Sequence, residues 1–209
     1  MIVIGIVGSP AGGKSTVASR LQELGATWIN ADLIARGVLD EQEVRTALVR
    51  RFGDKIVTKD GQIDRGRLAE RVFGADDSKR AELDYLESVV HPRTRVLIHE
   101  KLAQASSGGV VATVLDVPLL FESEWDLACD PIWCVDAEFD QRLLRSAKRG
   151  WDAHELNRRE ANQLDLSNKR QRSTLILDNN GSLAELIAAV DENFHLISNL
   201  RQSKTNHCI

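Results

Sequence analysis

The sequence predicts an α/β protein, a parallel five-stranded sheet flanked by helices. Two observations carry that prediction. Apolar runs near 2–7, 26–29, 110–115, 131–135 and 174–178 are each one strand long, with helical patterns between them. The first run, "IVIGIV", passes directly into the small-residue stretch "GSPAGGKSTVA", whose continuation has helical apolar spacing at Val17, Leu21 and Leu24.

The remaining elements follow in chain order. Residues 37–108 hold several helical patterns, among them "EQEVRTALVRRF" and "SKRAELDYLESVV", and a turn signal at Asp60-Gly61. That is too much chain for an ordinary crossover, so the segment is expected to form an inserted helical lobe. Residues 1–36 and 109–199 then make the core, and 200–209 a polar, frayed tail. The last helix carries Leu183, Leu186, Ile187, Val190, Phe194 and Ile197 on one face.

Bulk properties narrow the class. A chain of 209 residues with a formal net charge of −4 gives no reason to expect a nucleic-acid or anionic-membrane partner. No stretch is apolar for long enough to cross a membrane. Cys129, Cys134 and Cys208 are odd in number and contain no close CxxC pair, which argues against a disulfide framework or a zinc site. The cytoplasm is the expected compartment, and oligomeric state is left open.

The loop carries the first chemical signal. Gly8, Gly13, Lys14 and Ser15 satisfy G-x-x-x-x-G-K-[ST], the phosphate-binding P-loop. Small residues let backbone N–H groups converge on phosphate oxygens at a helix N-terminus. Gly8, Ala11, Gly12, Gly13, Lys14, Ser15 and Thr16 are therefore the expected nucleotide-binding residues. Lys14 would reach the β/γ-phosphates, and the Ser15 hydroxyl would ligate Mg²⁺. A plain strand-to-helix turn has no use for Lys-Ser at that spacing.

A GTPase switch would need D-x-x-G and N-K-x-D. "DVPL" at 116–119 ends in Leu119 and "NKRQ" at 168–171 ends in Gln171, so both tests fail. A small-molecule kinase fits better. It needs an orienter for the acceptor hydroxyl and positive charge around the transferring group. Asp32 ends "WINAD" at the carboxyl end of the second strand, where it is either that orienter or an N-cap for the following helix. Between Gln141 and Arg172 nine Lys/Arg face four Asp/Glu, with Arg142, Arg145 and Arg149 about one turn apart. That face either closes over phosphates or is a solvated surface.

Over nearly its whole length the chain resembles the dephospho-CoA kinase family. The resemblance rests on the P-loop, "NADLIARGV" at 30–38, "FGDKIVTKDGQIDRGRLAERVF" at 52–73, "VVHPRTR" at 89–95, "DVPLLFE" at 116–122, "QRLLRSAKRG" at 141–150, Gln163 and "ILDNNGS" at 176–182. It implies a P-loop core, a helical lobe for the substrate and a lid at 141–165. It also implies transfer of the γ-phosphoryl of ATP to the ribose 3′-hydroxyl of dephospho-CoA, the last step of coenzyme A synthesis. By the same resemblance Asp32 is the catalytic carboxylate, Arg145 and Arg149 are lid arginines, and Lys14 is catalytic. Arg65 meets a substrate phosphate, its plain alternative being an ion pair with Asp64 or Glu70. His91 and Pro92, with Leu119, Leu120, Phe121 and Glu122, line the acceptor site. His91 could equally mark a helix boundary. Asn179 and Asn180 lie by the adenine or form a plain turn. Asp116, in the place of a Walker-B acid, holds Mg²⁺ through water.

Three departures stand against the family pattern. Ser9-Pro10-Ala11-Gly12 fill the middle of the loop, and Pro10 has no N–H to offer. Asn30 replaces the first acid of Asp-Ala-Asp. Gly150-Trp151 follow the second lid arginine where an acid is usual. Two other functions compete: a kinase of another small hydroxyl acceptor, and a non-catalytic nucleotide sensor.

Overall fold

In a computed structural model the chain is described at residues 1–74 and 76–206, with side chains described up to residue 200. It divides into two compact units, one of residues 1–30 with 102–209 and the other of residues 31–101.

The first unit is a five-stranded parallel sheet. Its strands are β1 (Ile2–Val7), β2 (Thr27–Asn30), β3 (Ala112–Asp116), β4 (Ile132–Asp136) and β5 (Leu175–Asp178), in the order β2-β3-β1-β4-β5. Each lies within two residues of its predicted position. Strands covered on both faces are near-continuous apolar runs, and all five residues of β3 are buried. Helices α1 (Lys14–Glu23) and α9 (Leu183–Asn206) pack on the sheet through Val17, Leu21, Leu186, Val190 and Phe194 against Ile4, Ile6, Val114, Trp133 and Val135. Leu183, predicted for the buried face of α9, is 64% exposed at the first position of the helix. The backbone of α9 stays helical through Asn206, well into the expected tail, whereas residues 207–209, including Cys208, lie outside the described residues.

Between β4 and β5 come α6 (Phe139–Ala147), α7 (Ala153–Ala161) and α8 (Leu166–Gln171). The end of α6 explains one departure. Trp151 N–H bonds the Ser146 carbonyl (3.1 Å) and Gly150 N–H the Ala147 carbonyl (3.0 Å), a Schellman stop with Gly150 at φ +73°. An acid there would have to adopt a left-handed backbone, which glycine adopts without strain.

The second unit is helical: α2 (Ala31–Val38), α3 (Gln42–Phe52), α4 (Arg65–Val72) and the start of α5 (Asp77–Ser107). Val38, Val44, Leu48, Phe52, Ile56, Ile63, Leu68, Val72 and Val90 form its own core. The expected boundary at 36/37 falls inside α2, which belongs wholly to this unit, whereas that at 108/109 falls just after α5, seven residues beyond the unit's last residue, Lys101. Gly61, at φ +77°, makes the predicted turn, and Val57 and Ile63 pair across it. Pro92 sits inside α5, so the helix-boundary reading of His91 does not hold. The helix continues through the one backbone bond that proline removes, its flanking turns supplying the rest.

Candidate active site

Because β1 is central and the chain leaves it towards β2 on one side, while it leaves the neighbouring β4 towards β5 on the other, the loop after β1 lies at the point where strand order reverses. That loop is sharply folded. Gly8, Ala11 and Gly13 have φ of +146°, +60° and +106°, and Gly12 N–H bonds the Ser9 carbonyl at 3.0 Å. A Cβ on Gly8 would strike the Val135 carbonyl, and one on Gly13 the Asn179 amide. The glycines are there for close approach as well as for backbone conformation. Pro10 fits because the turn bond is made by Gly12, so no N–H is needed at residue 10.

Helix α1 starts with Gly13 as a cap that offers no side chain, and Ser15 is exposed in its first turn. Backbone N–H groups at such a start hold anions without further help. The Lys14 ammonium lies on the loop, donating to the carbonyls of Gly8 (2.8 Å) and Ser9 (3.2 Å).

Asn179 braces the loop from the end of β5. It is buried, its Nδ2 donates to the Gly12 carbonyl at 2.8 Å, and its backbone N–H bonds the Asp136 carbonyl at 2.7 Å. Arg145 of α6 donates through one guanidinium nitrogen to the Asn179 carbonyl (2.7 Å) and to its Oδ1 (3.3 Å). The other terminal nitrogen, Nη1, is buried without a hydrogen-bond partner among the described residues. An orphaned guanidinium nitrogen beside a folded phosphate loop suits a site whose missing member is an anion. Asn180 is spent locally: its Oδ1 accepts from Glu138 N–H and its Nδ2 donates to Asp178. Arg149 stacks on Trp151 at 5.4 Å from the ring centroid, and Arg159 covers the same ring at 4.0 Å. Two guanidinium groups thus lie against the Trp151 ring.

Sequence reasoning missed a block of charge behind the loop. Lys169 of α8 is 2% exposed and donates to Gln163 Oε1 at 2.7 Å and, at the long limit of 3.5 Å, to the Gly8 carbonyl. Burial holds its pKa below the usual lysine range, against the pull of Glu122, Cys134 and Glu160. Glu160 of α7 takes the Ser9 hydroxyl and Arg142 at 3.0 Å each. Lys169 lies in "NKRQ", a failed guanine motif within the basic segment 141–172, and its depth in the fold has no local signature.

The stretch 119–122 divides. Leu120 and Phe121 are buried, while Leu119 is 39% exposed and the exposed Glu122 accepts from Leu164 N–H at 2.6 Å. The surface members of the expected acceptor-site stretch are therefore Leu119 and Glu122. Asp116, buried at the end of β3, accepts from Asn30 Nδ2 at 3.3 Å, and the two residues are register partners. Among the described residues no group of three His, Cys, Asp or Glu could hold a metal by itself. Ser15 and Asp116 are hard oxygen donors of the kind Mg²⁺ takes beside waters and substrate phosphates. Cys129 and Cys134 are free thiols pushed up to about 12 and about 11, chiefly by burial, so neither is a thiolate nucleophile.

Within the helical unit Asp32 lies in the first turn of α2, exposed and inside the helix. The helix starts at Ala31, so Asp32 is not its N-cap; its charge favours the helix start instead. Arg65 donates to the Arg36 carbonyl (3.2 Å) and to Asp40 (3.4 Å), not to Asp64 or Glu70, because Asp64 caps α4 by accepting from Arg67 N–H. Exposed His91 and exposed, mid-helix Pro92 share α5.

The fold and this loop define a P-loop small-molecule kinase. The dephospho-CoA kinase family model matches residues 2–185. A dephospho-CoA kinase from Rhodopirellula baltica is 41% identical over 202 residues, covering 97% of this chain and 92% of the relative. Among solved structures, TT1252 from Thermus thermophilus superposes with a TM-score of 0.74 at 32% identity over 93% of this chain and 96% of its own. Dephospho-CoA kinase from Campylobacter jejuni shares the fold, with a TM-score of 0.68 at 24% identity over 94% and 97%. The chain belongs to the dephospho-CoA kinase family, ATP-dependent kinases of coenzyme A biosynthesis. The resemblance drawn from scattered motifs, and the parallel five-stranded sheet, both stand.

Proposed function

We propose that the chain phosphorylates the ribose 3′-hydroxyl of dephospho-CoA with ATP, using the loop of residues 8–16 as its phosphate grip. The observation that supports this most is the braced loop, where Asn179 holds Gly12 and carries Arg145 with an unpaired guanidinium nitrogen. Loop N–H groups and Lys14 hold the β- and γ-phosphates in line for transfer. Binding draws the Lys14 ammonium from the loop carbonyls to phosphate oxygens, exchanging neutral acceptors for charged ones. Ser15 would hold Mg²⁺ directly and Asp116 through water, and the ion would supply charge neutralisation to the phosphates.

Asp32 accepts the proton of the acceptor hydroxyl or holds that hydroxyl in line. Arg145 and Arg149 carry positive charge to the transferred group, since a guanidinium stays ionised at any working pH and matches phosphate oxygens in pairs. Arg65, His91, Pro92, Leu119 and Glu122 contact the acceptor, and its adenylate phosphates are the partners for Arg65. The partner is a small molecule, with neither nucleic acid nor membrane involved, and the compartment is the cytoplasm. In support, no helix among the described residues is long and apolar enough to cross a membrane.

ADP release measured with dephospho-CoA, with a nucleoside monophosphate, with a sugar acid and with no acceptor tests the reading. Release that depends on dephospho-CoA alone is expected. Release with another acceptor only, or ATP binding without acceptor-dependent release, refutes it.

A further inference from the structure

The phosphate loop is tied to helix α6 at two points. At Gly12 the tie runs through Asn179 to Arg145. At Ser9 it runs through one carboxylate: Ser9 Oγ donates to Glu160 Oε1 at 3.0 Å, and Arg142 Nη1 donates to Glu160 Oε2 at 3.0 Å. Ser9 is 2% exposed and Arg142 5%. Arg142 is fixed further by its Nε bond to the Ala137 carbonyl at 3.0 Å, and it precedes Arg145 by one turn of the same helix. A carboxylate that only solvated a helix face would not spend one oxygen on a buried loop hydroxyl and the other on a buried guanidinium.

We propose that Glu160 is a positioning residue for phosphoryl transfer, joining Ser9 of the loop to Arg142 of α6 and so fixing where Arg145 stands relative to the loop. This rests on the role given to Arg145 above. Both bonds are charge-assisted, which makes the carboxylate a stiff link. The Ser9 carbonyl accepts separately from Lys14 Nζ and Gly12 N–H, bonds that Ser9→Ala leaves in place. Ground-state contacts to ATP come from the loop's own N–H groups. A slack tie should therefore be felt when charge develops, as a fall in kcat more than a rise in KM.

The test measures kcat, KM for ATP and melting temperature for the wild-type chain, Ser9→Ala, Glu160→Gln and the double variant. Ser9→Ala is also made in an Arg145→Ala background. Glu160→Gln keeps an acceptor oxygen and the side-chain shape, so it folds even where truncation would strand Arg142. Each single change is expected to lower kcat on the order of tenfold, with KM for ATP moving less than about threefold. The double variant should be no slower than the slower single, and Ser9→Ala should cost nothing further once Arg145 is gone. Wild-type kcat in Ser9→Ala, or effects that multiply in either double, overturns the tie while leaving the function standing. Absence of dephospho-CoA-dependent turnover in the wild-type chain overturns the function and this role together.

Discussion

Replacing Asn179 with alanine should loosen the phosphate loop and the arginine helix in one step. The side chain is buried, donates 2.8 Å to the Gly12 carbonyl and accepts from Arg145 at 3.3 Å. Arg145 keeps its 2.7 Å bond to the Asn179 backbone carbonyl, so its loss is partial. The Gly12 carbonyl loses the hydrogen bond it accepts from the Asn179 side chain. A net hydrogen bond is worth about 1 kcal/mol, and a buried carbonyl left unsatisfied adds about 1–2 kcal/mol. The sum, about 2–3 kcal/mol, corresponds to a fall in melting temperature of roughly 5–10 °C for a chain of this size. Differential scanning calorimetry with and without ATP measures it, together with kcat/KM for ATP, which should fall roughly tenfold. A melting temperature within about 1 °C of wild type with unchanged kcat/KM would show that Asn179 is a plain turn residue and refute the brace.

Other outcomes follow from the same geometry. Lys14→Ala should abolish measurable ATP turnover, checked by ADP release and by ATP titration calorimetry. Asp32→Asn should cut kcat by about a hundredfold or more with ATP affinity little changed, and near-wild-type turnover would demote it to a helix-start charge. Arg145→Ala and Arg149→Ala should each cost about a thousandfold in kcat, and rates within about threefold would remove them from the mechanism. Glu155 is held down to about 2 by hydrogen bonds from Arg158 and then Arg159. Its folded value lies below the unfolded one of about 4.3, so its stabilisation is present above that pH and fades as pH falls towards the folded value. Glu155→Gln should therefore lower the melting temperature slightly at neutral pH and narrow its gap to wild type as the pH is taken down through that window.

Much of this architecture is readable in the chain because the decisive signals are local. The strands covered on both faces announce themselves as apolar runs, and the loop keeps all its defining residues within eight positions. What escaped depends on residues far apart in sequence. Ser9 and Glu160 are separated by 151 positions, and nothing in "SPAGG" or "RREAN" shows that they meet. Asn179 reads as a turn residue beside Gly181, yet the fold puts its amide 167 positions back, on Gly12. Proline punctuates most helices, yet α5 runs from Asp77 to Ser107 through Pro92 at the cost of one backbone bond. Leu120 and Phe121 were candidates for the acceptor site on motif position alone, and burial assigns them to the core. Motif position says which stretch is near the chemistry, not which of its side chains face outward.

The identity of the product is the most direct measurement. Phosphorus NMR of a reaction containing the chain, ATP, Mg²⁺ and dephospho-CoA should show a new phosphomonoester on the ribose 3′ position, formed in step with ADP. ADP without that ester, or an ester at any other hydroxyl, would contradict the account.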